Sequence, residues 1–414
     1  MKHKRKQTYP VDNASLLFLS LIRKNHTNTF RFTATMTEPV CPEMLQTAVD
    51  RVYRRFPTII AGFYPGFFHY LQVPAKIPPQ VQPDPGLLHT MSREEIRDCA
   101  YRVFFEGSKI SIEAFHALTD GYGAIASFTT LVAEYLRLKH GVRIPAEKTL
   151  IDLETAFHRE EITDAYESYE TGKPLLVPSR FSYQIPGQPP SPHGIRTSRQ
   201  AVPTKALLDA AHRCGVSMTT LLSTIMAQSI MEIQQQHVGS GHAKPVRIMV
   251  PIDLRRMFPS RTLRNFVLYA LPTMEPQEQT APSLELMRSF RTQIRSQAER
   301  SRLESIMAYN VRTQRAWYFR LFPWALKSLC LRIGYRFFGE SNSSLTLTNL
   351  GNVQLPEAMQ PFVEDLDVVM TPRARSPFGC SILSYRDHVV INISRFGQSL
   401  VLAETFFRRL HAVL

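Results

Sequence analysis

Between Thr171 and Arg196 the sequence places Pro174, Pro178, Pro186, Pro189, Pro190 and Pro192, with Gly172, Gly187 and Gly194 among them. Proline removes a backbone donor and fixes φ, so neither a helix nor an inner strand runs through such a stretch. It reads as an exposed crossover linker at 171–196, dividing the 414-residue chain into segments 1–170 and 197–414. A chain of that length exceeds one ordinary core, and each flank has its own alternation of strand and helix patterns. The fold class expected is α/β (α+β), in two halves, each a mixed sheet covered by helices.

In the first segment, Lys109-Ile110-Ser111-Ile112-Glu113-Ala114-Phe115 alternates with period two and predicts a half-buried strand. Apolar residues then recur at Ile125, Phe128, Leu131, Val132, Tyr135, Leu136 and Leu138, the spacing of an amphipathic helix. His116-Ala117-Leu118-Thr119-Asp120-Gly121 therefore occupies the turn between them, where a scaffold presents an imidazole. Asp120 is placed to shape that turn, and Gly121 to permit an unusual backbone angle. A lone histidine at a strand end is more often packing than chemistry, so the rest of the chain must decide. Upstream the patterns give an entry segment or short helix at 9–23, a strand at 29–37 and a helix over 42–55. Short strands at 58–63 and 67–73, a proline-rich loop through 74–86 and a helix near 92–99 follow.

The second segment predicts a strand at 195–202 and helices at 204–213 and 217–236, the latter capped by Ser217. Val246 to Val250 is an apolar strand leading into Pro251-Ile252-Asp253-Leu254-Arg255-Arg256, and Arg255 is the kind of residue that forks onto a carboxylate such as Asp120. A long helix is expected over 283–310, then a basic, aromatic-rich helical stretch over 315–338. Strands at 343–348, 365–371, 379–385 and 388–394 precede a last helix at 399–413.

Cys41, Cys99, Cys214, Cys330 and Cys380 are scattered without CxxC pairs, which argues for a reducing compartment and against a disulfide framework or structural zinc. The net charge of +14 invites nucleic acid, a membrane surface or an anionic substrate. The basic residues are dispersed, however, densest in Met1–Lys6 and in a stripe near 288–302, and no zinc-finger or RNP-like signature accompanies them. Leu16–Ile22 is too short and too polar in its flanks for a signal peptide, and no window spans a membrane. A cytoplasmic chain, with membrane contact at most at its surface, is the expectation. Gly-x-Ser-x-Gly, Walker, kinase and Rossmann patterns are absent from the sequence, and His237 and His242 around Gly239-Ser240-Gly241 suit a solvated loop better than a metal or phosphate site. What is left is His116 as a metal-free general base.

The strand–His116-x-x-x-Asp120-Gly121–helix arrangement resembles the signature of the coenzyme A-dependent acyltransferase superfamily, most of all its alcohol acetyltransferase-like branch. Val250-Pro251-Ile252-Asp253-Leu254-Arg255, followed by Asn265-Phe266, is similar to a second landmark whose arginine pairs with the motif aspartate. Thr346-Leu347-Thr348-Asn349-Leu350-Gly351 is similar to a third. The resemblance implies two chloramphenicol acetyltransferase-like halves with an active-site tunnel between them. It implies an acyl-CoA or acyl carrier protein donor as cosubstrate, no permanently bound cofactor, no metal and no covalent acyl-enzyme. His116 is then the base acting on a small or lipophilic alcohol or amine acceptor. Asp120, Gly121 and Arg255 support it, and Asn265, Asn349 or a backbone N–H near Gly121 are candidate oxyanion donors. A monomer is expected, with Arg288, Arg291 and Arg295 as a surface that steers an anionic donor. The stretch 317–338 is read as core helix, as a lipophilic channel or as a peripheral membrane contact. Two departures stand out: Phe115 replaces a histidine that many members carry before the catalytic one, and the Asp-Phe-Gly-Trp-Gly element of the plant branch is missing. Ser376-Pro377-Phe378-Gly379 lies in a broadly similar place, with no role carried over. The first departure supports an alternative, a catalytically idle relative that binds a small molecule or protein. A basic membrane-surface or nucleic-acid-binding protein is a third reading.

Overall fold

The computed structural model describes residues 8–86, 88–191, 194–238, 242–280 and 283–414; Met1–Lys6 and the Gly239-Ser240-Gly241 loop lie outside them. The chain enters through β1 (Tyr9–Pro10) and α1 (Asn13–Ser20), whose first turn is capped by Asp12 accepting the Ser15 N–H at 2.7 Å. After β2 (Thr29–Met36), α2 (Pro42–Val52) opens on proline, where a missing donor costs nothing, and turns Leu45, Ala48, Val49 and Val52 inward. β3 (Ala61–Pro65) and β4 (Tyr70–Pro74) form a hairpin, and β5 (Val81–Pro83) is a short strand within the stretch expected to be loop. A capping box between Ser92 and Glu95 starts α3 (Arg93–Asp98). β6 (Tyr101–Glu106) and β7 (Lys109–Phe115) then lead into α4 (Gly121–His140), which stops at Gly141, a left-handed residue with φ +67°.

Beyond the linker come β8 (Arg196–Pro203), α5 (Thr204–Arg213) and α6 (Met218–His237), the last capped by Ser217 as its sequence suggests. β9 (Val246–Asp253) pairs antiparallel with both β10 (Val267–Ala270) and β11 (Thr273–Met274). The single helix expected over 283–310 is instead two, α7 (Ser283–Gln297) and α8 (Arg300–Arg315). They part because they serve different cores: α7 buries Leu286, Met287 and Phe290 under the second sheet, whereas α8 buries Leu303, Met307 and Val311 beside Phe258 and Phe266. α9 (Trp317–Leu321), α10 (Trp324–Tyr335), β12 (Leu345–Asn352), β13 (Val363–Met370), β14 (Phe378–Tyr385), β15 (His388–Arg395) and α11 (Val401–Val413) follow.

Two large sheets result among the described residues, with β1, β4 and β3 forming a smaller one. The first large sheet has the order β13-β2-β7-β6-β5, and the second β10-β9-β12-β14-β15-β8 with β11 also on β9. In the second, β12 runs parallel to both β9 and β14 while the other pairs are antiparallel. One strand from late in the chain, β13, therefore lies in the first sheet, antiparallel to β2. α4 is buried along nearly its whole length against that sheet and α2. Each fully buried Leu or Phe contributes roughly 1.5–3 kcal/mol, so the helix that begins at Asp120 is anchored strongly.

Two expectations need correcting. β7 is buried on both faces, because its polar side is closed by charges on the two strands that flank it. Ser111 Oγ meets Thr33 Oγ1 at 2.9 Å, and Glu113 accepts Arg31 Nε and Arg102 Nη1, each at 3.0 Å. A buried carboxylate requires such partners. The linker is also less exposed than its prolines suggest: Tyr183 and Ile185 are buried, and the Ser182 and Tyr183 N–H groups donate to Ser341 O and Pro245 O at 3.0 and 2.9 Å. No single helix among the described residues is long and apolar enough to cross a membrane.

Candidate active site

Strand alternation separates Phe115 from His116. Phe115 is fully buried, edge-on to Phe63 with ring centroids 6.0 Å apart, while His116 is half-buried and its N–H donates to Asn28 O at 2.8 Å. The turn closes as Leu118 N–H bonds Phe115 O at 2.8 Å. Asp120 then caps α4: its Oδ1 accepts the N–H groups of Tyr122 and Gly123 at 3.1 and 3.3 Å. Gly121 does not adopt the left-handed angle expected of it. A Cβ there would come within 2.6 Å of Leu350 Cδ2, the end of a side chain that can turn away, so glycine is favoured by space rather than by φ.

Sequence reasoning missed Gly123, where a Cβ would stand 2.2 Å from both Leu263 O and Thr119 Oγ1. The first neighbour is backbone and cannot swing aside. Gly123→Ala is accordingly expected to lose about 1–3 kcal/mol or more, read as a lower denaturant midpoint, whereas an alanine at open Gly334 should leave the midpoint nearly unchanged.

The other oxygen of Asp120 reaches across the molecule. Asp120 Oδ2 accepts Arg255 Nη1 and Phe266 N–H, both at 2.8 Å, and the two charged side chains are 2% and 7% exposed. Arg255 is satisfied all round. Its Nη1 also meets Asp253 Oδ1 at 3.0 Å, its Nε and Nη2 donate to Thr262 O and Arg264 O at 3.0 and 2.6 Å, and its plane covers the Tyr122 ring at 4.6 Å. One carboxylate thus ties the start of α4 to the loop 253–266, and that loop carries Asn265.

Asn265 sets the histidine. Its Nδ2 donates to His116 O at 3.0 Å, which leaves Oδ1 facing the ring at 3.1 Å from His116 Nδ1. An amide oxygen only accepts, so Nδ1 carries the proton and Nε2 keeps its lone pair. Nε2 has no hydrogen-bond partner among the described residues. Phe18 stacks on the imidazole at 4.4 Å and Phe30 meets it edge-on at 5.3 Å. Burial in this aromatic clasp holds His116 below the ordinary imidazole range, more than the Asp120 carboxylate raises it. The ring is neutral at pH 7.

Phe18 belongs to α1, inside an apolar run that carried no functional signal in the sequence. The helix is pinned over the site by Ser15 Oγ, which donates to Ala117 O at 2.6 Å, and at its start by Asn13 N–H on Asp164 Oδ2 at 2.9 Å. Burial and then the neighbouring Asp12 carboxylate push Asp164 up to about 7, while burial raises Asp12 against the pull of Arg264. No group of three or more His, Cys, Asp or Glu among the described residues is arranged to hold a metal.

No protein-family model and no curated protein sequence matches the chain. Solved structures do. Trichothecene 15-O-acetyltransferase of Fusarium sporotrichioides superposes with a TM-score of 0.63 at 12% identity, covering 99% of this chain and 95% of that one. Polyketide synthase associated protein 5 of Mycobacterium tuberculosis gives 0.61 at 13% identity, over 98% and 97% of the two chains. The starter condensation domain of rhizomide synthetase, in complex with C8-CoA and Leu-SNAC, gives 0.61 at 13%, over 98% and 93%. The chain shares its fold with these acetyltransferase and condensation-domain structures.

Within this shared fold the residues singled out from sequence do not all converge. His116, Asp120, Gly121, Arg255 and Asn265 are joined by the contacts above. Asn349 is occupied elsewhere, its Nδ2 on Thr219 Oγ1 at 3.0 Å and its Oδ1 accepting Gly351 N–H at 2.9 Å. Arg288, Arg291 and Arg295 line the solvent face of α7, where Arg291 donates to Gly215 O at 2.9 Å. Phe115 faces the core, so its replacement of a histidine removes no group from beside His116.

Proposed function

We propose that this chain is an acyltransferase that moves an acyl group from an acyl thioester, acyl-CoA or an acyl carrier protein, to a hydroxyl or amine acceptor. The observation that carries the reading is the imidazole whose Nδ1–H is held by Asn265 while Nε2 stands unpartnered. In the proposed step Nε2 takes the proton of the acceptor as its oxygen or nitrogen attacks the thioester carbonyl. The tetrahedral intermediate then expels the thiolate, which recovers the proton from the imidazolium. No acyl-enzyme is required, because both substrates are held together. The fold shared with an acetyltransferase and with a condensation domain solved with C8-CoA supports this reading. Asn265, a candidate oxyanion donor by sequence, acts here as a positioning residue, since both ends of its amide are committed to His116.

The test is thiol release from acyl-CoAs of increasing chain length and from carrier-bound thioesters, against a panel of alcohols and amines. Acceptor-dependent release is expected; no turnover of any donor overturns the reading. The pH profile checks the base. A base must be unprotonated and burial lowers the pKa of His116, so kcat/KM should stay flat through neutral pH and fall only below about 6.5. Asn265→Asp sets a carboxylate against Nδ1–H, favours the imidazolium and should move that acid limb to higher pH. An unmoved limb would remove Asn265 from the role assigned to it.

A further inference from the structure

From Ala316 to Phe338 the chain contains Arg320, Lys327, Arg332 and Arg336 but no aspartate or glutamate. Lys327 is buried, its Nζ donating to Phe68 O at 2.8 Å and Arg320 O at 3.2 Å, and the exposed Arg332 ties its Nε to Ser20 O. Outward, α10 shows Leu326, Leu329 and Ile333, the turn after it continues the stripe at helical spacing with Phe337, and α9 adds Trp317 and Leu321, exposed by 74% and 62%. The stripe continues onto a second element. Phe67, at the tip of the β3–β4 hairpin, is 72% exposed, and its carbonyl accepts the Trp324 N–H at 2.7 Å. Arg320 and Arg336 are exposed at either end, with no carboxylate partner among the described residues.

A contiguous apolar patch on a folded chain marks an interaction site. The charges around it decide for what. A second copy of the chain would bring the same guanidinium groups together with no acid to pair them, which is unfavourable. An anionic bilayer supplies what the patch lacks: hydrocarbon for the stripe, an interfacial layer for the exposed tryptophan and phosphate for the arginines. We propose that the outer face of α9–α10, with the β3–β4 tip, docks this chain on an anionic phospholipid surface. The docking stands whether or not the chain transfers an acyl group. It would set the bilayer beside the site, since α10 packs on α1 and α1 carries Phe18.

Flotation of the full chain with phosphatidylcholine vesicles, with and without phosphatidylserine, tests the proposal. Binding is expected on the anionic vesicles, weakening with salt, with the emission of Trp317 and Trp324 together shifting to shorter wavelength. Arg320→Glu with Arg336→Glu, and separately Leu329→Ser with Ile333→Ser, should each weaken binding by roughly tenfold or more. As all four side chains are exposed, the thermal melt should not move. Failure of the parent chain to bind anionic vesicles overturns the proposal, as does undiminished binding by the variants. Sedimentation velocity adds a third overturning result: an oligomer that the serine variant dissociates, with no vesicle binding, would make the patch a contact between copies.

Discussion

Replacing His116 by alanine is expected to lower the rate of acyl transfer by about 10²–10⁴-fold, the span over which a positioned general base contributes. The loss should fall on kcat, with KM for the donor little changed, because the ring acts in proton transfer rather than in holding the thioester. The imidazole also packs against Phe18 and Phe30, so alanine leaves a small void in that clasp. His116→Gln keeps most of the volume while supplying no base, and it should be as inactive as alanine with a melt closer to the parent chain. A rate within tenfold of the parent in both variants removes His116 from the chemistry.

The largest effect on stability should come from the Asp120–Arg255 pair. Both side chains are almost entirely buried, and removing one partner of a buried ion pair costs about 3–5 kcal/mol when the other is left uncompensated. Arg255→Ala strands Asp120, whereas loss of Asp120 leaves Arg255 with Asp253, so the former should sit higher in that span. Asp120→Ala also forfeits the cap on α4, worth about 1 kcal/mol. Asp120→Asn keeps the oxygen that accepts from Tyr122 and Gly123 and should therefore fall between the parent and the alanine variant. Urea unfolding of Asp120→Asn, Arg255→Ala and the double variant forms a cycle, in which the double should be markedly less damaged than the sum of the singles. Simple additivity would mean that the pair is not the clamp described. Activity should fall with either single variant, since the clamp holds both the histidine turn and the loop that presents Asn265.

Much of this was legible in the residues because it rests on local chemistry. Ser217 capping α6, proline opening α2, and a strand–turn–helix around His116 follow from side-chain type and spacing, and they stand where the patterns put them. What escaped was set by neighbours far along the chain. The second face of β7 is closed by Arg31, 82 residues away, together with Arg102 of the adjoining strand, and no period-two pattern announces a buried glutamate. Gly123 is required by the backbone of Leu263, not by its own dihedral angles. The break between α7 and α8 follows from two cores whose division only the folded chain defines. Asn265 could be proposed as a polar group near the site, but its job depends on which of its two amide atoms faces the ring. Phe18 sat in an apolar run with no polar residue to draw attention to it.

The crossing of β13 into the first sheet bears on how the protein is made. β2 has β7 on one side, yet its other edge waits for Val363–Met370, and just beyond it Thr37 finds Phe362 O only 325 residues later. During synthesis that edge emerges from the ribosome long before the strand that covers it. The early part of the chain must therefore persist with an unsatisfied, aggregation-prone border. Closure of the first sheet is therefore tied to Val363–Met370, a long-range pairing of the kind that forms slowly.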